Sequence, residues 1–226
     1  MNEGLAGSPL VTLLALAALG LLPFAFMIAT SFVKIAVVLG IVRSALGTGQ
    51  VPSGTVITAL AAILSLYVMA PTFHAMAVAA APRLEAVDRR DPLAGPSGEA
   101  LFEAARAGAE PMRDFLARHA GPRETEMFLS LARQARPADR AAEVGARDWM
   151  VLLPAFLVTE LSEAFQIGFL VFIPFLVVDM VVANVLLALG MHMLSPTTVS
   201  LPFKLLLFVL ADGWYVLARA LVLGYA

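Results

Sequence analysis

Residues 164–194 read AFQIGFLVFIPFLVVDMVVANVLLALGMHML, a run whose one carboxylate is Asp179 and whose first basic side chain is His192. At 1.5 Å rise per residue, about 20 apolar residues cross a bilayer core, so this run is long enough to span one. It is also interrupted. Pro174 sits in its first half, Asp179 and Asn184 in its middle, and Gly190-Met191-His192-Met193 at its exit. A helix serving only as an anchor needs none of these. Asp179 and Asn184 would lie among lipid tails unless another chain or a water-filled space received them.

The rest of the chain is of the same kind. Its 226 residues are 60% hydrophobic with a mean hydropathy of +0.87. Soluble domains are about 45–50% apolar, so the class is integral membrane. The net charge of −2 carries little information, because the charges are clustered. Residues 83–148 hold 23 of the 32 acidic and basic side chains, so one polar insert divides two apolar halves. The organisation expected is therefore an apolar helical hairpin region over 1–81, a polar helical insert over 82–148 and a second apolar helical region over 149–226. There is no cysteine, which excludes disulfides and thiolate chemistry. His74, His119 and His192 share no ligand spacing, so no metal or other cofactor is expected. Met1-Asn2-Glu3 provides no basic region ahead of the first apolar run, and that run is expected to stay in the mature protein.

Within the first region, residues 9–29 form an apolar segment interrupted at Pro23, continuing through Thr30-Ser31 into a stretch carrying Lys34 and Arg43. A Lys near the middle of a span costs about 2.5–3.5 kcal/mol on an insertion scale. Lys34 therefore marks either a membrane edge or a buried partner. Residues 47–54 are a turn by their Gly and Pro content, and 55–81 form a second apolar segment kinked or ended near Pro71. In the insert, Pro92, Gly95 and Pro96 break the chain. Ser97 is expected to cap a helix to Ala109 with Leu101, Phe102 and Ala105 on one face. Pro111 opens the next helix, capped by Gly121, and Pro122 opens a third with Met127, Phe128, Leu131 and Ala132 together.

In the last region Glu160 and Glu163 stand one turn apart on one face. If 199–226 is one regular helix, Lys204, Asp212 and Arg219 fall within a sector of roughly 80°. Such groups are costly on a lone lipid-facing helix, which favours burial against other copies or other membrane subunits. Pairing inside the chain, for example Lys204 with Asp179, is the competing reading. The short connectors near Arg43 and Lys204 are cationic while the insert is long and nearly neutral, so the insert and both termini are expected outside the cytoplasm.

Nucleotide loops of the GxxxxGK[ST] type, HExxH and GxSxG are all missing, and Glu160 with Glu163 has no nucleophile beside it. The expectation is an all-α, non-enzymatic membrane protein without a nucleic-acid partner. Met191 and Met193 flank His192 at a helix exit, and methionine adapts to irregular gaps. By spacing alone they read either as ordinary packing or as a deformable constriction around an axis.

Several long strings bear on that choice. Residues 154–156 (PAF), 164–169 (AFQIGF) and 172–175 (FIPF), then 190–196 (GMHMLSP) and 200–214 (SLPFKLLLFVLADGW), resemble the R component of the type III secretion export apparatus, whose flagellar counterpart is FliP. Residues 30–35 (TSFVKI), 43–47 (RSALG) and Pro52 resemble its N-terminal half. The likeness covers about 25–81 and 149–226; the insert matches by position and character only. It implies a protein-conducting export gate built with the S and T subunits and about five R copies around an axis. Unfolded substrate proteins pass through the pore, and a methionine-rich loop, here Met191 and Met193, narrows it as a gasket. His192 departs from the more Met-rich flagellar version. The resemblance further implies a multi-pass protein of the bacterial inner membrane whose gate, once assembled, sits toward the periplasm. The missing signal peptide resembles the injectisome branch, and so virulence. Lys34, Arg43, Glu160, Glu163, Asp179, Asn184, Lys204, Asp212 and Arg219 are then assembly or intramembrane polar contacts. A small-solute or ion transporter using Asp179, Glu160 or Lys204, and a scaffold that conducts nothing, are the other readings.

Overall fold

The computed structural model describes residues 17, 20–21, 23–49, 51–85, 87, 95–137 and 140–225. Most of the first apolar segment, and Pro92, lie outside them. The described residues are helical, without a strand: α1 (Pro23–Ala29), α2 (Phe32–Leu46), α3 (Gly54–Leu84), α4 (Gly95–His119), α5 (Pro122–Gln134), a 3-10 turn at Ala141–Glu143, α6 (Trp149–Ala188), α7 (Pro196–Leu210) and α8 (Gly213–Leu223). This is the all-α membrane protein expected. By length and composition α3 and α6 each suffice to cross a bilayer. At 1.5 Å per residue the 40 residues of α6 extend about 60 Å, twice a hydrocarbon core.

Proline proves a weaker punctuation mark than expected. α3 runs through Pro71 and Pro82, α4 through Pro111, and α6 through Pro154 and Pro174. A proline removes one helical hydrogen bond, but the apolar faces on either side continue and their burial holds the helix together. In α4 the buried stripe is Ala104, Met112, Phe115 and Leu116, which straddles Pro111. Phe102 and Ala105 are exposed, so the face expected at 101, 102 and 105 is not the packed one. Ser97 lies inside the first turn, because α4 already begins at Gly95. Gly121 is the N-cap residue of α5 in extended conformation, not a left-handed C-cap; Pro122 follows at N1 as expected. The apolar face of α5 is solvent-facing: none of its residues is buried.

Packing divides the chain into two units, and the divisions fall inside α3 and α6 instead of at the composition changes. The first unit comprises 1–30 and 69–159. Its core joins the α4 stripe to Val144, Val151, Leu152, Ala155 and Phe156, with the Phe115 and Phe156 rings edge to face at 5.7 Å. Polar ties complete it: the Gly121 amide donates to Thr159 Oγ1 at 2.8 Å, and the Arg113 guanidinium stacks 5.3 Å from the Trp149 ring.

The second unit comprises 31–68 and 160–226 and contains the residues singled out above, apart from those in the insert. Its centre is α2, whose Ile35, Val38, Leu39, Val42, Ala45 and Leu46 are all buried. α6 comes against α2 at Gly168, where an added Cβ would lie 2.3 Å from Ile41 Cδ1. The Ser31 hydroxyl donates to Ser65 Oγ at 3.1 Å and joins α2 to α3. α7 and α8 are not one regular helix. They break at Asp212, which has φ +48°, and bend by 58°. At that break Phe208 packs edge to face on Trp214 at 5.2 Å, and Gly213 leaves room for the Phe208 ring.

Candidate functional site: two buried lysines and a methionine turn

Lys34 occupies the α2 stripe that continues as Val38, Val42 and Ala45, so the helix carries its side chain inward with the core. A buried ammonium needs partners, and α6 supplies two. Lys34 Nζ lies 2.6 Å from Glu163 Oε2 and 2.9 Å from Glu160 Oε1, the latter an ion contact without hydrogen-bond alignment. The one-turn spacing of the two glutamates is what lets a single lysine reach both. Tyr225 closes the site: its hydroxyl donates to Glu160 Oε2, and its ring lies under the Lys34 ammonium at 4.2 Å. Glu160 is fully buried while Glu163 is half exposed.

Lys204 repeats the logic from α7. Ser200, Lys204 and Phe208 follow one another at i, i+4 and i+8, and all three are buried. Lys204 Nζ donates to Asp179 Oδ2 of α6 at 2.6 Å and to the Ala45 carbonyl at 3.1 Å. That carbonyl belongs to the last turn of α2, where acceptors lack intrahelical donors and the helix dipole favours a cation. The Ser200 hydroxyl donates to Asp179 Oδ1. One ammonium thus ties α7 to both α2 and α6.

Between α6 and α7 lies the methionine turn. The Met191 amide donates to the Leu186 carbonyl at 2.9 Å and the Gly190 amide to Leu187 at 3.0 Å, with Gly190 at φ +70°. This pair of bonds around a left-handed glycine is a Schellman end, and it turns the chain sharply off the helix. The Leu194 amide then returns to Met191, and Pro196 opens α7 at its first position. Met191, His192 and Met193 project from the turn, Met193 being 98% exposed. Local hydrogen bonding, not packing, defines this protrusion.

Lys34, Glu160, Asp179 and Lys204 therefore find their partners inside the chain, so these four no longer argue for neighbouring subunits. The competing reading of Lys204 with Asp179 is the one the structure adopts. Lys204, Asp212 and Arg219 do not form one stripe, because the break at Asp212 separates them: Lys204 is buried and the other two are exposed. Asn184, Asp212 and Arg219 make no side-chain hydrogen bond or ion pair among the described residues. Arg43 donates to the Gly49 carbonyl at 3.3 Å beside the turn after α2. No cluster of metal-ligating side chains occurs among the described residues. Ser200, Tyr225 and the Ala45 carbonyl escaped the sequence reading. Ser200 carried a usable signal, four residues before a lysine on the same helix; Tyr225 and a backbone carbonyl carried none.

Comparison with known proteins gives this geometry a family. The FliP family model matches residues 15–221. "Yop proteins translocation protein R" of Yersinia pestis is 44% identical over 214 residues, covering 94% of each chain. "Hypersensitivity response secretion protein HrcR" of Ralstonia nicotianae is 44% identical over 215 residues, covering 92% of this chain and 93% of its own. "Flagellar biosynthetic protein FliP" of Bacillus subtilis is 37% identical over 213 residues, 94% of this chain and 90% of its own. With nearly the whole length matched, insert included, this chain belongs to the FliP family.

Proposed function

We propose that this chain is a core subunit of the protein-conducting export gate of a type III secretion system, and that Met191 and Met193 form a constriction in its pore. The observation that carries the reading is the full-length likeness to relatives named for translocation and secretion. Those two share 44% identity with the chain, against 37% for the flagellar relative, which favours the injectisome branch. The constriction reading draws support from an apolar, adaptable pair of side chains held out on a short turn with little else to pack against.

About five copies surround the pore, joined by the S and T subunits, in the bacterial inner membrane with the gate toward the periplasmic side. The 82–148 insert is extracytoplasmic. Support for assembly comes from surface that a single chain leaves uncovered. Only 11% of the most apolar window of α6 is buried within the chain. Asp212 and Arg219 add exposed charge to the bent pair α7–α8, and lipid is a poor partner for either. Unfolded proteins are the cargo, and the gate has no catalytic step of its own.

The test is conductance of the complex isolated from its membrane through a tag on this chain. Replacing Met191 and Met193 together by Ala is expected to raise ion leak severalfold with subunit composition unchanged. A complex that assembles and stays tight after that change would remove the gasket and favour a scaffold that conducts nothing.

A further inference from the structure

We infer that Lys204 and Asp179 are positioning residues for the methionine turn: together with Ser200 and the Ala45 carbonyl they form a polar staple that sets where Met191 and Met193 stand. The inference rests on the gate reading for its functional consequence, but its structural content stands apart from it.

Two observations lead to it. First, the turn does not hold itself in place. Its hydrogen bonds are local, from Met191 to Leu186, Leu194 to Met191 and Ser195 to Thr197, and residues 191–195 are exposed throughout. The position of the methionines is therefore inherited from the end of α6 and the start of α7. Second, those two helices are not packed tightly near the turn. An open apolar groove of about 470 Å³ lies between them, lined by Val181, Val182 and Val185 on one side and by Val199 and Phe203 on the other. Greasy contact across such a gap is non-directional and leaves the helices free to slide or splay.

The staple sits at the base of that gap. Asp179 precedes the turn on α6, and Ser200 and Lys204 follow it on α7; the contacts Ser200–Asp179 and Lys204–Asp179 (2.6 Å) cross directly between the two arms. Lys204 adds a third point through Ala45 O, which refers α7 to the last turn of α2. Three directional contacts to one buried ammonium and its carboxylate define an angle as well as a separation. Lys204 is nearly fully buried and Asp179 about a quarter exposed, so solvent competes little for the pair.

The closing experiment uses two readouts on the assembled complex. The first is distance. The chain has no cysteine, so Gly40→Cys on α2 and Met193→Cys in the turn take spin labels uniquely, in complexes holding one labelled copy. Lys204→Met is expected to broaden the distance distribution at least twofold. An unchanged width would overturn the staple whether or not the turn is a gate. The second is conductance. Lys204→Met is expected to raise leak as much as the Met191→Ala/Met193→Ala pair, and combining all three is expected to add nothing further. Effects that multiply would show that Lys204 does not act through the turn. If Lys204→Met prevents assembly, Asp179→Asn keeps the volume and the serine contact, and the same two outcomes decide. A leak-free methionine variant with a broadened turn in Lys204→Met would sink the gasket and keep the staple.

Discussion

Lys34 and Glu160 form an ion pair of 2.9 Å in which the lysine side chain is 5% exposed and the glutamate not at all. Breaking such a pair from one side leaves the other charge buried and uncompensated, at a cost of about 3–5 kcal/mol. Lys34→Met is therefore expected to lower the stability of the purified chain in detergent by roughly that amount. Lys34→Met with Glu160→Leu should recover most of it, since a well-packed apolar pair removes both desolvation costs. Denaturation monitored by tryptophan fluorescence checks both. A double variant no better than the single would show that the site is not an isolated pair.

Tyr225 offers a finer dissection of the same site. Tyr225→Phe keeps the ring under the ammonium and loses only the donor to Glu160, so a loss of about 1–2 kcal/mol is expected. Tyr225→Ala removes the ring as well and should cost more. Equal losses for the two would put the contribution in the hydroxyl alone.

Where α6 meets α2, an added methyl has no room. Gly168→Ala places its Cβ 2.3 Å from Ile41 Cδ1, and overpacking of this kind costs about 1–3 kcal/mol. Ile41→Ala in the same chain should return most of the loss. Thermal unfolding of the three variants side by side is the measurement, and absence of rescue would place the conflict elsewhere.

Asp212 and Arg219 are exposed and unpaired among the described residues, so their replacement should leave the single chain as stable as before. Arg219→Leu is expected to reduce the yield of intact complex severalfold, counted by native mass spectrometry. Unchanged assembly would mean that lipid or solvent, not a neighbouring subunit, covers this helix.

For topology, a reporter active only in the cytoplasm and inserted within residues 92–98 is expected to stay silent. Activity there would reverse the orientation argued from Arg43 and Lys204.

Much of this molecule was legible before any coordinates. Apolar runs of bilayer length, a charge-rich insert and the spacing of Glu160 and Glu163 all follow from composition and helical period, which are local properties of the chain. Helix ends were read less well. Pro111 and Pro71 looked like stops, yet continuous burial on both sides of each proline outweighs one lost hydrogen bond. The α7–α8 break went unseen because its signal is a single aspartate in a left-handed conformation beside a glycine crowded by Phe208.

The membrane-spanning, all-helical character was thus settled by residue order alone, because hydropathy and period act over neighbouring residues. Which partner each buried charge takes was settled only by folding. Lys34 meets Glu160 across 126 positions and Lys204 meets Ala45 across 159, and no pattern in one dimension measures such distances. Burial made some partner obligatory for each lysine; the packing of α2 against α6 and α7 chose which one.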